Sequence, residues 1–176
     1  MRHLKSILLA LAISIILIGG IGVFLSKEYR IEKQILINAP ADSIFIMVKD
    51  LSSWPGWTTW SKERDPSVKI VFEKKEGFVS KMKWDGEELE KGELILIKAV
   101  ENSELNFELI LEESFKSKGK ILLEKMGNSK TTVKWIMEGN VGNNIPQRYF
   151  LLLAENFIAP DIESSLNRLK KLKEKE

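Results

Sequence analysis

Few side chains in this sequence are of a type that could do chemistry. The chain contains no cysteine, which excludes disulfides, thiolate metal sites and cysteine nucleophiles. Its single histidine, His3, precedes a long apolar segment. Everything after that segment therefore lacks the usual general base near neutral pH and the commonest metal ligand. Any catalysis there would depend on carboxylates, lysine or tyrosine, and we expect no metal and no cofactor.

Four polar side chains fall on or beside the inward faces of the predicted elements. They are Ser80, Glu113, Ser117 and Tyr149. Glu113 and Tyr149 are the candidates for acid/base catalysis, because a carboxyl group or a phenol can transfer a proton. The acidic pair 112–113 and the acid-rich run 87–90 do not predict a paired-carboxylate site, since alternation along a strand sends neighbours to opposite faces. The sequence also has no glycine-rich phosphate loop and no dinucleotide-binding fingerprint.

Three tryptophans, Trp54, Trp57 and Trp60, recur at steps of three in a short segment broken by proline and glycine. This spacing aligns them on one side of a turn. They would either plug one end of a core or form the rim of a ligand cavity. A stacking platform for nucleic acid would need a basic groove beside it, whereas residues 62–65 alternate base and acid.

The charge balance gives no reason to expect a nucleic-acid partner. The chain has 27 basic and 25 acidic residues, and setting aside Arg2 and Lys5 before the apolar segment leaves 25 of each. A neutral domain offers no electrostatic attraction to phosphates. The lysines in 170–176 suit a solvated helix end, and a membrane-surface patch is the alternative.

The segment 7–25 is uncharged and predicts a transmembrane anchor. A helix of this length spans about 28 Å, close to the thickness of a bilayer's hydrocarbon core. A basic leader, 1–6, precedes it and a linker, 26–30, follows. The alternative is a cleaved signal peptide with a poor small-residue site at 20–22. The short basic amino terminus favours a cell-membrane protein with that end in the cytoplasm and the domain outside.

Residues 31–176 have the periodicity of a single α+β domain. A strand at 31–38 and a short helix opened by Pro40 precede six further strands, which makes seven in all. In the strand before Asp85-Gly86, a hairpin signal, alternation places Val79 outward. A long amphipathic helix at 145–172 ends the domain, and Pro160 is expected to kink it.

The inward faces of these elements give the candidates for ligand contact. The predicted ligand-binding residues are Trp57, Trp60, Phe78, Met82, Trp84, Leu96, Phe107, Leu109, Ile121, Val133, Trp135, Met137, Phe150, Ala154 and Ile158. An apolar pocket with few polar groups is typical of a small-molecule site. The same residues would also suit a plain core, so both roles remain open.

Apolar residues on the outward faces of the strands raise the question of a protein partner. Ile95, Ile97, Leu122 and Ile136, with Ile110, would form an exposed apolar patch if the sheet brings them together. Such a patch is typical of an interface with another protein or with a second copy of the chain. The alternative is a set of scattered surface residues, which any protein carries.

Four segments, taken in their order along the chain, resemble the START-like superfamily. This superfamily, also called SRPBCC, includes polyketide cyclase/dehydrase-like and birch-pollen-allergen-like proteins. The segments are INAPADSIF at 37–45, the D-L-x-x-W-P-x-W pattern at 50–57, MKWDG at 82–86 and APDIESSLNRLKKL at 159–172. The last is similar to the closing helix of membrane-anchored polyketide-cyclase-like proteins of bacteria. The resemblance covers 29–173.

The resemblance implies a helix-grip fold of the α+β class. A curved seven-stranded antiparallel sheet would wrap around the long C-terminal helix, with one transmembrane helix at the N-terminus. In this superfamily the cavity between sheet and helix commonly takes lipids, sterols, polyketides or other apolar molecules. The leading hypothesis is therefore a membrane-tethered, non-catalytic module that binds a lipid or another small apolar ligand. The alternatives are a polyketide cyclase/dehydratase-like enzyme that orients its substrate and an interaction module that uses the apolar sheet face.

Overall fold

The computed structural model describes residues 2–75, 78–112 and 115–175, which form three α-helices, a short 3-10 helix and seven strands. The helices are α1 (Arg2–Phe24), α2 (Ala41–Lys49), the 3-10 helix Leu51–Gly56 and α3 (Ile145–Lys173). The strands are β1 (Glu28–Ile37), β2 (Lys69–Lys75), β3 (Phe78–Gly86), β4 (Glu90–Val100), β5 (Glu104–Leu111), β6 (Phe115–Lys125) and β7 (Thr131–Asn140).

The described strands form one antiparallel sheet in the order β1-β7-β6-β5-β4-β3-β2. From β3 to β7 each strand pairs with the one before it, and β1 pairs with β7, so that Ile31 lies opposite Met137. The sheet is curved and open, and α3 lies against its concave face. The predicted fold class is confirmed: a seven-stranded antiparallel sheet around a long C-terminal helix.

The N-terminal helix α1 is long and apolar enough to cross a membrane. The segment Lys5–Phe24 has a mean hydropathy of 2.8, and its large apolar side chains, such as those of Leu8, Ile13 and Ile16, are exposed. A helix that is apolar on all sides is stable only where apolar groups surround it. Other helices or lipid can supply such surroundings.

The core lies between the concave face of the sheet, α2 and the C-terminal half of α3. Ile44 and Val48 of α2 and Leu169 of α3 are completely buried. Burying one such side chain contributes about 1.5–3 kcal/mol relative to leaving it exposed. Asn144 begins α3, and its side-chain oxygen accepts a hydrogen bond from Gln147 N at 3.2 Å. α3 then continues through Pro160 as a single helix, and the bend expected there remains a prediction.

The first strand begins earlier than the sequence predicts. β1 starts at Glu28, inside the predicted linker 26–30, because pairing with β7 extends to this end of the strand. Tyr29 lies opposite Gly139 in this pairing. The alternation of Tyr29, Ile31 and Ile35 was visible in the sequence and could have indicated the longer strand.

Strand β3 contains a β-bulge at Ser80, where its register with β2 shifts. An extra residue inverts the alternation of side chains on its two sides. Val79 is therefore buried together with Met82 and Trp84, and the prediction that it faces outward was wrong. The side chain of Phe78 lies outside the described part of the structure.

The hairpin after β3 turns later than predicted. β3 includes both Asp85 and Gly86, the turn comprises 87–89, and the left-handed backbone conformation falls on Glu90, with φ of 54°. Gly86 is needed for a different reason. A Cβ atom there would lie 2.2 Å from Asp65 Oδ2, so only glycine leaves room for this carboxylate.

Asp65 joins the loop before β2 to the β3–β4 hairpin. Its buried carboxylate accepts hydrogen bonds from the Ser67 hydroxyl and from the backbone N–H groups of Ser67, Glu88 and Leu89. The Ser67 hydroxyl is the largest cause that lowers the pKa of Asp65, which these bonds together bring to about 2. This junction positions the loop residues that face α3.

Candidate functional site

A cavity of about 490 Å³ lies between the concave face of the sheet and the N-terminal half of α3. Strands β1, β5, β6 and β7 form its floor, and α3 covers it. Its volume falls within the range of about 300–1,000 Å³ that is typical of small-molecule sites. Because the walls are mostly aromatic and aliphatic, the cavity suits an apolar ligand better than a charged one.

The predicted ligand-binding residues divide between this cavity and the core. Those that line the cavity are Trp60, Leu109, Trp135, Met137, Phe150 and Ile158. Those that the structure buries in the core away from the cavity lining are Trp57, Met82, Trp84, Phe107, Ile121, Val133 and Ala154. Leu96 is partly buried against the core. Ligand contact by any of them remains a prediction.

The three tryptophans after α2 divide between the two roles considered for them. Trp54 and Trp57 are completely buried, and the indole N–H of Trp54 donates to Val48 O at 2.9 Å. These two rings plug one end of the core. Trp60 is partly exposed, stacks on Trp54 with ring centroids 6.0 Å apart and lines the cavity.

Trp135, a residue of the cavity wall, carries a polar group that lacks a hydrogen-bond partner among the described residues. Its ring is 2% exposed, and its indole N–H has no hydrogen-bond acceptor among the described residues. Burying such a donor without a partner costs about 1–3 kcal/mol. The Trp135 ring lines the cavity, but its indole nitrogen is itself buried, so an acceptor on a bound molecule would reach this N–H only after the side chains that cover it move.

A hydroxyl pair that the sequence analysis missed also lies in the wall. The phenol oxygen of Tyr29 is 2.5 Å from Ser117 Oγ, and both residues line the cavity. Burial raises the pKa of Tyr29, and the hydrogen bond with Ser117 opposes part of this rise. Ser117 was among the predicted polar candidates, but Tyr29 had been assigned to the linker.

Of the two predicted acid/base candidates, Tyr149 does not join this pair. The Tyr149 hydroxyl donates to Ile18 O of α1 at 2.6 Å, and Tyr149 is not among the residues that line the cavity. Glu113 lies outside the described residues. The structure therefore does not bring Tyr149 and Ser117 together.

Among the charged residues that line the cavity, Arg64 and Asp161 are paired with each other, whereas Glu90 and Glu112 have no ion pair among the described residues. Arg64 donates to Asp161 of α3 at 2.8 Å and to Glu88 at 3.2 Å. Burial works to lower the pKa of Arg64, but its contacts with Asp161 and Glu88 outweigh burial and raise it. This ion pair fastens the loop after the 3-10 helix to α3 where the cavity ends.

The outward sheet face alternates apolar and charged residues. Ile97 is 57% exposed, whereas Ile136 is only 6% exposed and lies opposite Lys120. Leu122 and Ile95 are partly buried. Charged neighbours therefore interrupt the predicted apolar patch, and a protein partner or second copy there remains a prediction.

Neither a protein-family model nor a curated protein sequence matches the chain. Solved structures share its fold. A START superfamily protein from Mycobacterium smegmatis matches 81% of this chain and 98% of its own, with 19% identity and a TM-score of 0.58. The di-domain ARO/CYC StfQ from the steffimycin biosynthetic pathway matches 84% of this chain and 51% of its own, with 11% identity and a TM-score of 0.63.

A third similar structure is an enzyme from a plant source. It is a point mutant of norcoclaurine synthase from Thalictrum, in complex with a transition-state analogue. The match covers 82% of this chain and 93% of that one, with 17% identity and a TM-score of 0.59. At these identities the likeness concerns the fold. The chain has the START-like fold, in which a curved antiparallel sheet wraps around a long C-terminal helix.

Proposed function

We propose that this protein is a membrane-anchored module that binds a lipid or another small apolar molecule and does not transform it. The cavity of about 490 Å³ between the sheet and α3 is the observation that carries this proposal. The length and apolar composition of α1 support the anchorage. We place the short basic amino terminus in the cytoplasm and the START-like domain on the other side of the membrane.

The ligand would carry a hydrogen-bond acceptor at one position. The indole N–H of Trp135, whose ring lines the cavity, has no acceptor among the described residues, and a ligand would reach it by displacing the side chains that cover it. A carbonyl, ester or carboxyl oxygen on the ligand would satisfy it. An apolar body with one acceptor is the chemistry of a fatty acid or a glycerolipid chain.

The paired polar groups of the cavity favour binding over catalysis, and Glu90 and Glu112 are the lining carboxylates that a catalytic function would need. Tyr29 and Ser117 are bonded to each other, and Arg64 is paired with Asp161. Both pairs hold structural elements together. The ARO/CYC and norcoclaurine synthase structures show that this fold also serves enzymes, so a cyclase-like activity is the competing function.

Native mass spectrometry of the full chain, released from nanodiscs of phosphatidylcholine and phosphatidylglycerol, tests the proposal. We expect an apolar adduct of one molecule per chain, which solvent extraction would identify. Ile158→Trp adds bulk to the wall of the cavity and should weaken the adduct. Ile97→Trp adds the same bulk on the outer sheet face and should retain it.

The Trp135→Phe variant then tests the acceptor. It keeps the ring in the wall but removes the N–H, so the adduct should dissociate at lower collision energy than in the unmodified chain. An unmodified chain that carries no adduct, or an adduct that survives Ile158→Trp unchanged, would contradict binding in this cavity.

A further inference from the structure

The N-terminal half of α3 exposes a cluster of large apolar side chains. Phe150, Leu152, Leu153 and Phe157 are 45%, 61%, 49% and 59% exposed. We call these four residues the apolar α3 face. The rings of Phe150 and Phe157 stack in parallel with centroids 6.2 Å apart, so the face is ordered. An exposed apolar cluster of this kind marks an interaction site.

The polarity of the outer side of α3 changes along the helix. At 100° per residue the apolar α3 face covers about half of the circumference. Asn156 lies within that arc, and Glu155 lies at its edge. Beyond Pro160 the exposed positions are polar, as at Glu163 and Asn167, apart from Leu172 near the end of the helix. The apolar character therefore ends near the middle of the helix.

The first turns of α3 pack against the last turns of α1. Arg148 is buried and donates to Val23 O at 2.8 Å and to Gly22 O at 3.3 Å. These carbonyls end α1 and have no partner within that helix, so the guanidinium caps it and complements its dipole. A Cβ atom at Gly22 would lie 2.4 Å from Ile145 Cγ2, which shows how closely the two helices approach.

This packing fixes the depth of α3 relative to α1. The Tyr149 hydroxyl donates to Ile18 O. Ile18 precedes Phe24, the last residue of the apolar segment, by six positions, which is about 9 Å along a helix. If α1 spans a bilayer, the start of α3 therefore lies below the level at which α1 leaves the hydrocarbon. Tyrosine is among the residues that are enriched at this depth.

We propose that the apolar α3 face lies in the boundary between headgroups and acyl chains of the bilayer that α1 crosses. The occupant of this face is lipid, because the α1–α3 junction carries the face to membrane level. A helix with such a face buries it about 5–10 Å deep. The inference rests on the membrane anchorage proposed above but not on ligand binding in the cavity.

The position of the face has a consequence for the cavity. Phe150 and Phe157 belong to the apolar α3 face and also line the cavity. The cavity therefore opens on the side that meets lipid. A molecule dissolved in the bilayer would reach it by passing these two rings, without crossing water.

Spin labels on single cysteines test the proposal in the full chain, which has no cysteine of its own. The chain is placed in liposomes of phosphatidylcholine and phosphatidylglycerol with a label at Leu153→Cys. The matched control, Asn167→Cys, lies on the outer side of the polar half of α3. Ile13→Cys, in the middle of α1, reports on the anchor. Collisions with oxygen report lipid, and collisions with a nickel chelate report water.

We expect the ratio of oxygen collisions to nickel-chelate collisions to be several-fold higher for the label at Leu153→Cys than for the label at Asn167→Cys. Equal accessibility to nickel at these two positions, with Ile13→Cys protected, would overturn the docking of α3 while leaving the anchor intact. Accessibility of Ile13→Cys to nickel would overturn the anchorage and the docking together.

A second copy of the chain is the other possible occupant of the face. In that case the labels at Leu153→Cys would broaden each other's spectra, and dilution with unlabelled chain would remove the broadening. That result, with nickel excluded from Leu153→Cys, would assign the face to a dimer and overturn its contact with lipid.

Discussion

The two halves of α3 differ in what they contact, although they form one helix. The C-terminal half buries Ile162, Leu166 and Leu169 against the sheet, and Glu163 pairs with Lys33 of β1 at 2.6 Å. Most large apolar residues of the N-terminal half are instead exposed or line the cavity, whereas Leu151 is partly buried against the core. The buried residues of this half are small or polar: Arg148, Ala154 and Ala159.

This difference separates stability from function within one element. The C-terminal half contributes the apolar burial that holds the sheet and helix together. The N-terminal half contributes little burial and is connected to α1 and to the cavity. Elements that bind ligands or surfaces are commonly drawn from such weakly buried parts of a fold.

The sharpest test of the comparison is the same substitution in each half. Leu169→Ala removes a completely buried side chain and should lower the free energy of unfolding by about 3 kcal/mol. Leu153→Ala, in the exposed half, should change it by less than about 0.5 kcal/mol. Urea denaturation of the full chain in detergent, followed by tryptophan fluorescence, measures both. Equal losses would show that the two halves contribute alike.

Breaking the junction with α1 should have the next largest effect. Arg148→Met leaves the end of α1 without its cap, and each hydrogen bond from a charged donor contributes about 1.5–3 kcal/mol. We expect the link 25–27, in which Ser26 and Lys27 are already exposed, to become more mobile, so that trypsin cleaves faster after Lys27. Arg148→Lys keeps the charge but loses the planar guanidinium group and its several donors. Its cleavage rate should lie between those of the unmodified chain and Arg148→Met. An unchanged cleavage rate in Arg148→Met would contradict the role of Arg148 as the cap of α1.

Removal of the cavity hydroxyl pair should have a smaller effect. Tyr29→Phe leaves the buried Ser117 hydroxyl without its partner and should cost about 1 kcal/mol. The folded pKa of Tyr29 is raised, so its contribution to stability is complete below the unfolded pKa of about 10 and is lost as the pH rises further. Ultraviolet titration should lose a late tyrosine transition in Tyr29→Phe and keep it in Tyr149→Phe.

A pH-dependent effect concerns the loop that carries Arg64 to the C-terminal half of α3. The folded pKa of Asp65 is lowered to about 2, so its contribution is complete above the unfolded pKa of 3.8 and is lost as the pH falls towards 2. Asp65→Asn should be less stable at neutral pH and should lose less stability between pH 4 and pH 2. Thermal melts between pH 4 and pH 2 measure how steeply stability falls with pH. If stability falls as steeply in Asp65→Asn as in the unmodified chain, the contribution assigned to the Asp65 carboxylate is contradicted.

The sequence predicted the elements of the fold because periods of two and of three to four residues reflect which side of an element is buried. These periods fail where a single residue changes the geometry. The bulge at Ser80 inverted the predicted direction of the Val79 side chain. Gly86 was predicted to be a turn residue, but a glycine is needed there because Asp65 approaches it closely.

The candidate site was less predictable than the fold, because it depends on contacts between distant segments. The Tyr29–Ser117 pair joins residues 88 positions apart, and Arg148 contacts α1 across 125 positions. No local spacing encodes such pairs. The sequence did contain one usable signal, since the apolar residues of 150–157 exceed what one buried helix face requires.

Photolabelling from within the bilayer tests most directly whether the N-terminal half of α3 connects lipid to the cavity. The full chain in nanodiscs would be irradiated with a fatty acid that carries a diazirine in mid-chain, and the labelled peptides identified. We predict label in Phe150–Ile158 and in the cavity wall at Leu109 and Leu111, in addition to α1. Label confined to α1, with α3 and β5 no more modified than the outer sheet face around Ile97, would contradict this account.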